Sequence, residues 1–378
     1  MRIDTLLVRA GLGADPATGA VSAPIHPSST FAHPGLGRTT GFDYSRTANP
    51  TRKVLEDAVA RLEGGAGACA FGSGMAALTT LCLLFRPGDH LVASDDLYGG
   101  TYRLFEQVFR AYGLEVTYAD VTDPGRVERA LRPGTRAVVA ENPTNPLLKV
   151  VDVETLARLA HDHGAWLVVD STFLTPYLQR PLELGADIVV HSATKYLGGH
   201  NDLLAGVLVA RDPNLAEQLA FLQNTTGGVL DPFSSWLLVR SLKTLGVRLE
   251  RQCRTAGEVA RFLLGHPAVT RVYYPGLPDH PGRAVLARQA AGFGAMVSFR
   301  LAAAERVGPF LERLRVATFA ESLGGVETLV TVPSRRTHCD VPPEVRERLG
   351  VTDDLVRLSV GLEHPEDLIA DLAQALGG

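Results

Sequence analysis

The chain has 378 residues, of which 46% are hydrophobic and 21% charged, and its formal net charge is −4. That is an ordinary globular composition, long enough for two or three domains, with no electrostatic case for nucleic acid or an anionic membrane surface. No apolar run reaches the roughly 18 residues of a membrane span, the first residues lack a signal-peptide core, and scattered cysteines fit free thiols, so a cytoplasmic protein is expected.

Residues 1–60 are rich in Gly, Pro, Ser and Thr and read as an arm without a core of its own. From about residue 66, short apolar strands alternate with helical stretches. The strands are predicted at Ala68–Phe71, Leu91–Ser94, Glu115–Tyr118, Ala137–Ala140, Trp166–Asp170 and Ile188–His191, with Leu204–Ala210 as a further one. Helices are predicted at Met75–Phe85, Thr101–Tyr112, Val127–Leu131 and Val153–His163. This alternation predicts an α/β domain on a mostly parallel sheet. A long helical stretch, Ser235 to Leu264, is expected to break at Gly246. Strands at Val272–Tyr274, Ala295–Arg300, Thr328–Val332 and Val356–Val360, with helices near 304–314, 343–349 and 365–376, predict a smaller α+β domain. The expected division is an arm at 1–60, an α/β domain at 61–245 and an α+β domain at 246–378.

The chemistry centres on Lys195, one of only four lysines. It follows the strand ending at His191, where a lysine is costly unless paired, deprotonated or covalently used. Trp166–Asp170 is an apolar strand ending in a carboxylate. In an open α/β sheet the carboxyl ends of strands carry the ligand site, so Asp170 and Lys195 share an edge if their strands are parallel. Pyridoxal phosphate calls for such a pair: a lysine for its aldehyde and an Asp that keeps its ring nitrogen protonated.

The turn Gly72-Ser73-Gly74-Met75 opens a helix and suits a phosphate. Ser192 and Thr194 flank the lysine with hydroxyls, and Arg46 offers a fork for phosphate. Tyr98, after the Leu91–Ser94 strand, would stack on a flat ring, or simply be a half-buried loop tyrosine. Arg357 lies in a strand with Leu355 and Ser359 on its face; it would clamp a substrate carboxylate, or simply lie on a solvated face.

Competing motifs fail on context. Ser192-Ala-Thr-Lys195 fits Ser-x-x-Lys, but Ser-Asp-Asn and Lys-Thr-Gly are absent. Gly65-Ala-Gly-Ala-Cys-Ala70 fits the dinucleotide fingerprint but precedes its strand. His161 and His163 diverge on a helix, and His338, Cys339 and Asp340 lack spaced partners, so no metal site is expected.

Several long motifs in one order carry a resemblance along nearly the whole chain. They are Tyr-Ser-Arg-Thr-Ala-Asn-Pro-Thr-Arg at 44–52, Gly-Ser-Gly-Met-Ala-Ala at 72–77, Asp-Leu-Tyr-Gly-Gly-Thr at 96–101, Glu-Asn-Pro-Thr-Asn-Pro at 141–146, His-Ser-Ala-Thr-Lys-Tyr-Leu-Gly-Gly-His at 191–200, Glu-Ser-Leu-Gly-Gly-Val-Glu at 321–327 and Arg-Leu-Ser-Val-Gly-Leu-Glu at 357–363. The chain resembles the cysteine/methionine-metabolism family of pyridoxal-phosphate enzymes. The resemblance implies an aspartate-aminotransferase-like (fold type I) architecture and pyridoxal 5'-phosphate as cofactor. It implies that Lys195 binds the cofactor and shuttles protons, that Asp170 pairs with the ring nitrogen, and that Tyr98 stacks on the ring. Backbone at Ser73, Gly74 and Met75 and side chains of Ser192 and Thr194 would hold the phosphate. Tyr44 and Arg46 would reach it from the neighbouring subunit of a homotetramer built from two active dimers. Asn145, Ser322 and Arg357 would hold the substrate α-carboxylate. The sequence departs from the family pattern at Asn142, Ser171 and the pair Arg335-Arg336, where the family usually has a small or apolar pair.

Within that family, Asp43 and Glu327 are expected at positions that face a distal ammonium group, and Gly100 stands where methionine γ-lyase typically has a cysteine. The acid pair suits synthases and γ-lyases alike and argues against methionine γ-lyases and strict β-lyases. The stretches at 40–52 and 198–206 resemble bacterial synthases, which favours cystathionine γ-synthase, the enzyme that joins an O-acyl-homoserine to cysteine. A cystathionine γ-lyase or β-lyase, an O-acetylhomoserine sulfhydrylase and a catalytically silent binding protein are the alternatives.

Overall fold

The computed structural model describes residues 1–377. Seven strands form the larger sheet: β1 Gly67–Phe71, β2 His90–Ser94, β3 Glu115–Ala119, β4 Thr135–Glu141, β5 Trp166–Asp170, β6 Ile188–His191 and β7 Gly206–Ala210. Their spatial order is β1-β7-β6-β5-β4-β2-β3. Only β7 runs against the rest, pairing antiparallel with both β1 and β6. The carboxyl ends of β1, β2, β4, β5 and β6 therefore converge on one edge. This places Ser73, Tyr98, Asn145, Asp170 and Lys195 together, although they are spread over more than a hundred residues of chain.

The strands are apolar on both sides because helices cover both faces. Val138, Leu167, Val169 and Val189 pack into one core, while Val139, Val168, Ile188 and Val190 pack into the other. The second sheet has the order β10-β11-β12-β9-β8, built from β8 Val269–Tyr273, β9 Met296–Leu301, β10 Thr318–Phe319, β11 Leu329–Thr331 and β12 Leu355–Ser359. Its central strand, β12, carries Arg357 opposite Ser298 of β9 and Thr331 of β11.

Several elements depart from the sequence expectation, among them short helices at Ile3–Val8 and Arg283–Gln289 and the strand Thr318–Phe319. The loop-like stretch ends at Asn49, not near residue 60. Asn49 caps a helix over Pro50–Glu63 by accepting from the amides of Thr51 and Arg52, and Leu55, Val59 and Leu62 of that helix enter the core. The long helical stretch breaks at Lys243–Thr244, between helices Pro232–Leu242 and Leu245–Leu264, so Gly246 lies inside a helix. A helix over Pro213–Thr226 was not anticipated; it starts with an Asp212 cap and Pro213 in the first turn, a pairing that favours helix initiation.

Among the described residues, no helix is long and apolar enough to cross a membrane.

Candidate active site

A cavity of about 370 Å³ opens on the convergent sheet edge, and its walls include Ser73, Gly74, Met75, Tyr98, Asn145, Asp170, Ser192, Thr194, Lys195, Ser322 and Arg357. Eleven of the residues expected from sequence thus meet in one place. Lys195 lies in the turn after β6, and its Nζ donates to Ser322 Oγ at 2.8 Å. Burial, with help from the nearby Arg357 charge, lowers its pKa from 10.5 to about 8, against a weaker opposing pull from Glu321. The amine form is therefore within easy reach near neutral pH.

Asp170 ends β5 with its carboxylate accepting from Thr172 N at 3.0 Å and Thr172 Oγ1 at 2.6 Å. Burial raises its pKa against the opposing pull of the Thr172 hydrogen bonds and the His191 charge. A carboxylate so placed suits a cationic ring N–H. At the other end of the cavity, Gly74 and Met75 begin the helix Gly74–Cys82, so their amides have no carbonyl four residues back, and Ser73 Oγ accepts from Ala76 N. These amides face the cavity with the positive end of the helix dipole. The residues present thus fit pyridoxal phosphate at three points: amine, ring nitrogen and phosphate.

Two glycines allow this packing. A Cβ at Gly206 of β7 would collide with Ser73 O, so the phosphate turn rests directly on that strand. A Cβ at Gly100 would collide with the Tyr98 ring, which is why no larger residue fits behind that ring as it stands.

Arg357, expected as either a clamp or a solvated residue, is only 1% exposed. Its Nη1 donates to Asn145 Oδ1 at 2.8 Å and its Nη2 to Ser322 O at 3.1 Å. Ser322 holds φ at +89°, a left-handed conformation unusual for a residue with a side chain. That strain turns its carbonyl toward Arg357 while its hydroxyl meets Lys195. Thr194 is less free than expected: its Oγ1 donates to Ala205 O at 3.2 Å, so a phosphate role requires the hydroxyl to turn.

Asp43, Tyr44, Arg46 and Glu327 are not in this cavity. Arg46 Nη1 donates to Asn224 O at 2.7 Å and Asn224 Oδ1 at 2.9 Å, and its guanidinium lies 5.5 Å from the Tyr44 ring. Asp43 stands exposed in the arm, 3.6 Å from His33. The turn that carries them is held from below by the buried Arg52, which donates to the carbonyls of Ser45, Arg46 and Thr47. Glu327 accepts from Asn201 Nδ2 at 2.7 Å and is taken up by that contact. Of the two loop glutamates, the one on the cavity wall is Glu321, six residues earlier. The loop from 320 to 328 has no alternation to read, so spacing gave no sign of which glutamate faces inward.

Two further residues were missed. Glu141 ends β4 level with Asp170 of β5, lines the cavity and accepts the Tyr98 amide at 2.9 Å. Burial first, and then the Asp170 charge, push its pKa well above the usual carboxylate range. Its signal was the same as that of Asp170, an apolar strand ending in a carboxylate. His338 is buried, with Nε2 2.9 Å from Asn145 O and 3.2 Å from Leu97 O, and Nδ1 2.8 Å from Thr337 Oγ1. Two carbonyls fix Nε2 as the donor. Burial, helped by Arg357, lowers the pKa of the ring to about 4. One neutral ring thus joins the Tyr98 loop, the Asn145 loop and the cavity wall at Thr337; a lone histidine in a loop gave no sequence sign of this.

Of the three departures, Asn142 is buried, donating to Gln179 Oε1 and accepting from Val151 N, so it pins the loop before Asn145. Ser171 is buried with its hydroxyl unpartnered. Arg335 pairs with Asp353, and Arg336 stands beside Glu321.

The family model described as "Cys/Met metabolism PLP-dependent enzyme" matches residues 4–377. The chain belongs to that family. Cystathionine gamma-lyase of Bacillus subtilis is 52% identical over 376 residues, covering 100% of this chain and 99% of the relative. Cystathionine gamma-synthase/O-acetylhomoserine (thiol)-lyase of the same organism is 51% identical, covering 99% of this chain and 96% of the relative. The solved structure of cystathionine gamma synthase from Xanthomonas oryzae pv. oryzae in complex with cystathionine superposes with a TM-score of 0.98 at 44% identity, covering 100% of this chain and 98% of that one. This family member is thus an enzyme of the trans-sulfuration group that uses pyridoxal phosphate.

Proposed function

We propose that the chain is a cystathionine γ-synthase that replaces the acyloxy group of an O-acyl-homoserine with the sulfur of cysteine. The observation that supports a substrate with a distal ammonium is the placing of Glu321, which suits synthase and γ-lyase alike; the synthase choice rests on the stretches at 40–52 and 198–206. Arg357 is buried in the cavity wall, and the Glu321 carboxylate, 62% exposed, stands on the same wall. That arrangement suits an α-carboxylate inside and a distal ammonium outside. It replaces Glu327 in the role expected from sequence.

Pyridoxal phosphate, when bound, supplies an electron sink that makes protons on the substrate carbons acidic. Asp170 would hold the ring N–H, the Gly74 and Met75 amides with Ser192 would hold the phosphate, and Tyr98 would cover the ring. Arg357, backed by Asn145 and Ser322, orients the substrate by its carboxylate. Lys195, whose amine is accessible near neutral pH, takes and returns the Cα proton. In the net reaction the Cγ–O bond breaks, Cγ–S forms, and the thiol proton leaves with the carboxylic acid.

A γ-lyase is the second reading, supported by the 52% identity to a relative of that name. A product assay decides between them: O-acetyl- or O-succinyl-homoserine plus cysteine should give cystathionine, and cystathionine alone should be cleaved much more slowly. Cleavage of cystathionine with no synthesis would refute the synthase reading.

We also propose that a second copy of this chain completes each site, within a tetramer of two such dimers. The cavity wall contributes no cation at its phosphate end, while Tyr44 and Arg46 stand on an arm with fully exposed Leu36 and largely exposed Val21. Neither Lys195→Ala nor Arg46→Ala should be active alone. A co-folded equal mixture should recover about a quarter of wild-type activity, because each mixed dimer has one intact site. No recovery would refute the shared site.

A further inference from the structure

Glu321 does not stand alone at the cavity mouth. Arg336 Nη1 lies 4.0 Å from Glu321 Oε1. The Arg336 guanidinium is seated 5.8 Å from the Phe319 ring, two residues before Glu321. Thr337, the next residue after Arg336, is itself on the cavity wall. The cation and the anion therefore come from two separate loops that meet at the same rim. Their side chains are 53% and 62% exposed, and an ion pair so open and so long contributes little to folding. Both charges remain free to exchange each other for a ligand.

A free amino-acid head carries an ammonium and a carboxylate on one carbon. Glu321 answers the first. Without Arg336, Glu321 would repel the second at short range. The two neighbouring arginines both line an adjoining cavity with Phe319, but Arg335 is tied to Asp353 there, whereas Arg336 comes within 4.0 Å of Glu321 on the active-site wall.

We propose that Arg336 is a specificity residue that pairs with the distal carboxylate of a substrate whose distal ammonium meets Glu321. The site then takes a molecule with amino-acid heads at both ends: Arg357 holds the inner carboxylate, and the Glu321–Arg336 pair holds the outer head. This rests on the reading of the outer wall given above, and it extends that reading from an ammonium to the whole zwitterion.

The test is a titration of the holoenzyme, followed through the visible absorption of its cofactor, with four amino acids of increasing outer charge. They are L-norleucine with no outer charge, L-lysine with an outer ammonium, L-2-aminoadipate with an outer carboxylate, and L-cystathionine, read by rapid mixing, with both. Arg336→Met should weaken aminoadipate and cystathionine roughly threefold to tenfold and leave norleucine unchanged. Arg336→Lys should restore part of the loss, and Glu321→Gln should weaken lysine and cystathionine. If Arg336→Met leaves aminoadipate and cystathionine unchanged, or weakens all four equally, the role of Arg336 is refuted while the outer-wall reading stands. If the wild-type protein binds lysine and cystathionine no more tightly than norleucine, the outer-wall reading falls, and this proposal with it.

Discussion

Replacing Arg357 with Met should raise the pH at which Lys195 becomes a nucleophile. In the apo protein the Lys195 pKa stands at about 8, down from 10.5. That difference makes protonated Lys195 roughly 3 kcal/mol less favourable than an exposed lysine. At pH 7 about one molecule in ten then holds the amine, against roughly one in three thousand for an ordinary lysine. Burial is the larger cause and Arg357 the second, while Glu321 pulls the other way. The Arg357→Met midpoint should therefore lie above 8 but short of 10.5, and Glu321→Gln should lower it. Trace acetylation across a pH series, followed by peptide mass spectrometry, reads the midpoint directly. Only four lysines need resolving. A wild-type midpoint near 10.5, or one that Arg357→Met leaves unmoved, would refute the electrostatic reasoning. The same shift has a consequence for stability. The folded pKa is below the unfolded one, so the unfolded chain binds the extra proton between pH 8 and 10.5. Lys195 thus costs apo-protein stability below pH 8, and that cost disappears as the pH rises to 10.5.

His338→Ala should raise KM for the amino-acid substrate about tenfold with a smaller change in kcat, because two buried carbonyls lose their donor and Asn145 loosens behind Arg357. His338→Asn should recover part of the loss; equal effects on KM and kcat in both variants would argue for a general structural role. The ring, with a pKa of about 4 folded and 6.5 unfolded, must gain a proton on unfolding, so stability should fall as pH drops from 6.5 to 4. Thermal melts of His338→Asn should show a shallower fall over that window. Gly206→Ala should weaken cofactor affinity by at least about tenfold, since the new methyl meets Ser73 O under the phosphate turn; unchanged affinity by dialysis and fluorescence would refute direct packing of the turn on β7.

The sequence by itself determined the strands that deliver the chemistry. Trp166–Asp170 and Ile188–His191 end as expected because a buried apolar run must stop where polar groups reach the edge. Lys195, Asp170, Tyr98 and the Ser73–Met75 turn were legible for that reason. Each sits at a strand end, and strand ends in a parallel sheet share an edge. The helices Pro50–Glu63 and Pro213–Thr226 were also marked in the sequence, by Asn or Asp before a proline, though that sign was outweighed by the polar loops beside them.

Tertiary structure alone decided which loop side chains face the cavity. Glu321 and Glu327 share one non-periodic loop. Their orientation is set by the left-handed Ser322 and by two glycines that press on distant backbone and side chain, Gly324 against Lys195 and Tyr196 and Gly325 against Asn201. His338 found its place in the same way, through carbonyls at positions 97 and 145. Local periodicity can assign a residue to a strand face or a helix face. In a loop, orientation is fixed by contacts from elsewhere in the chain, and those exist only once the two sheets have packed together.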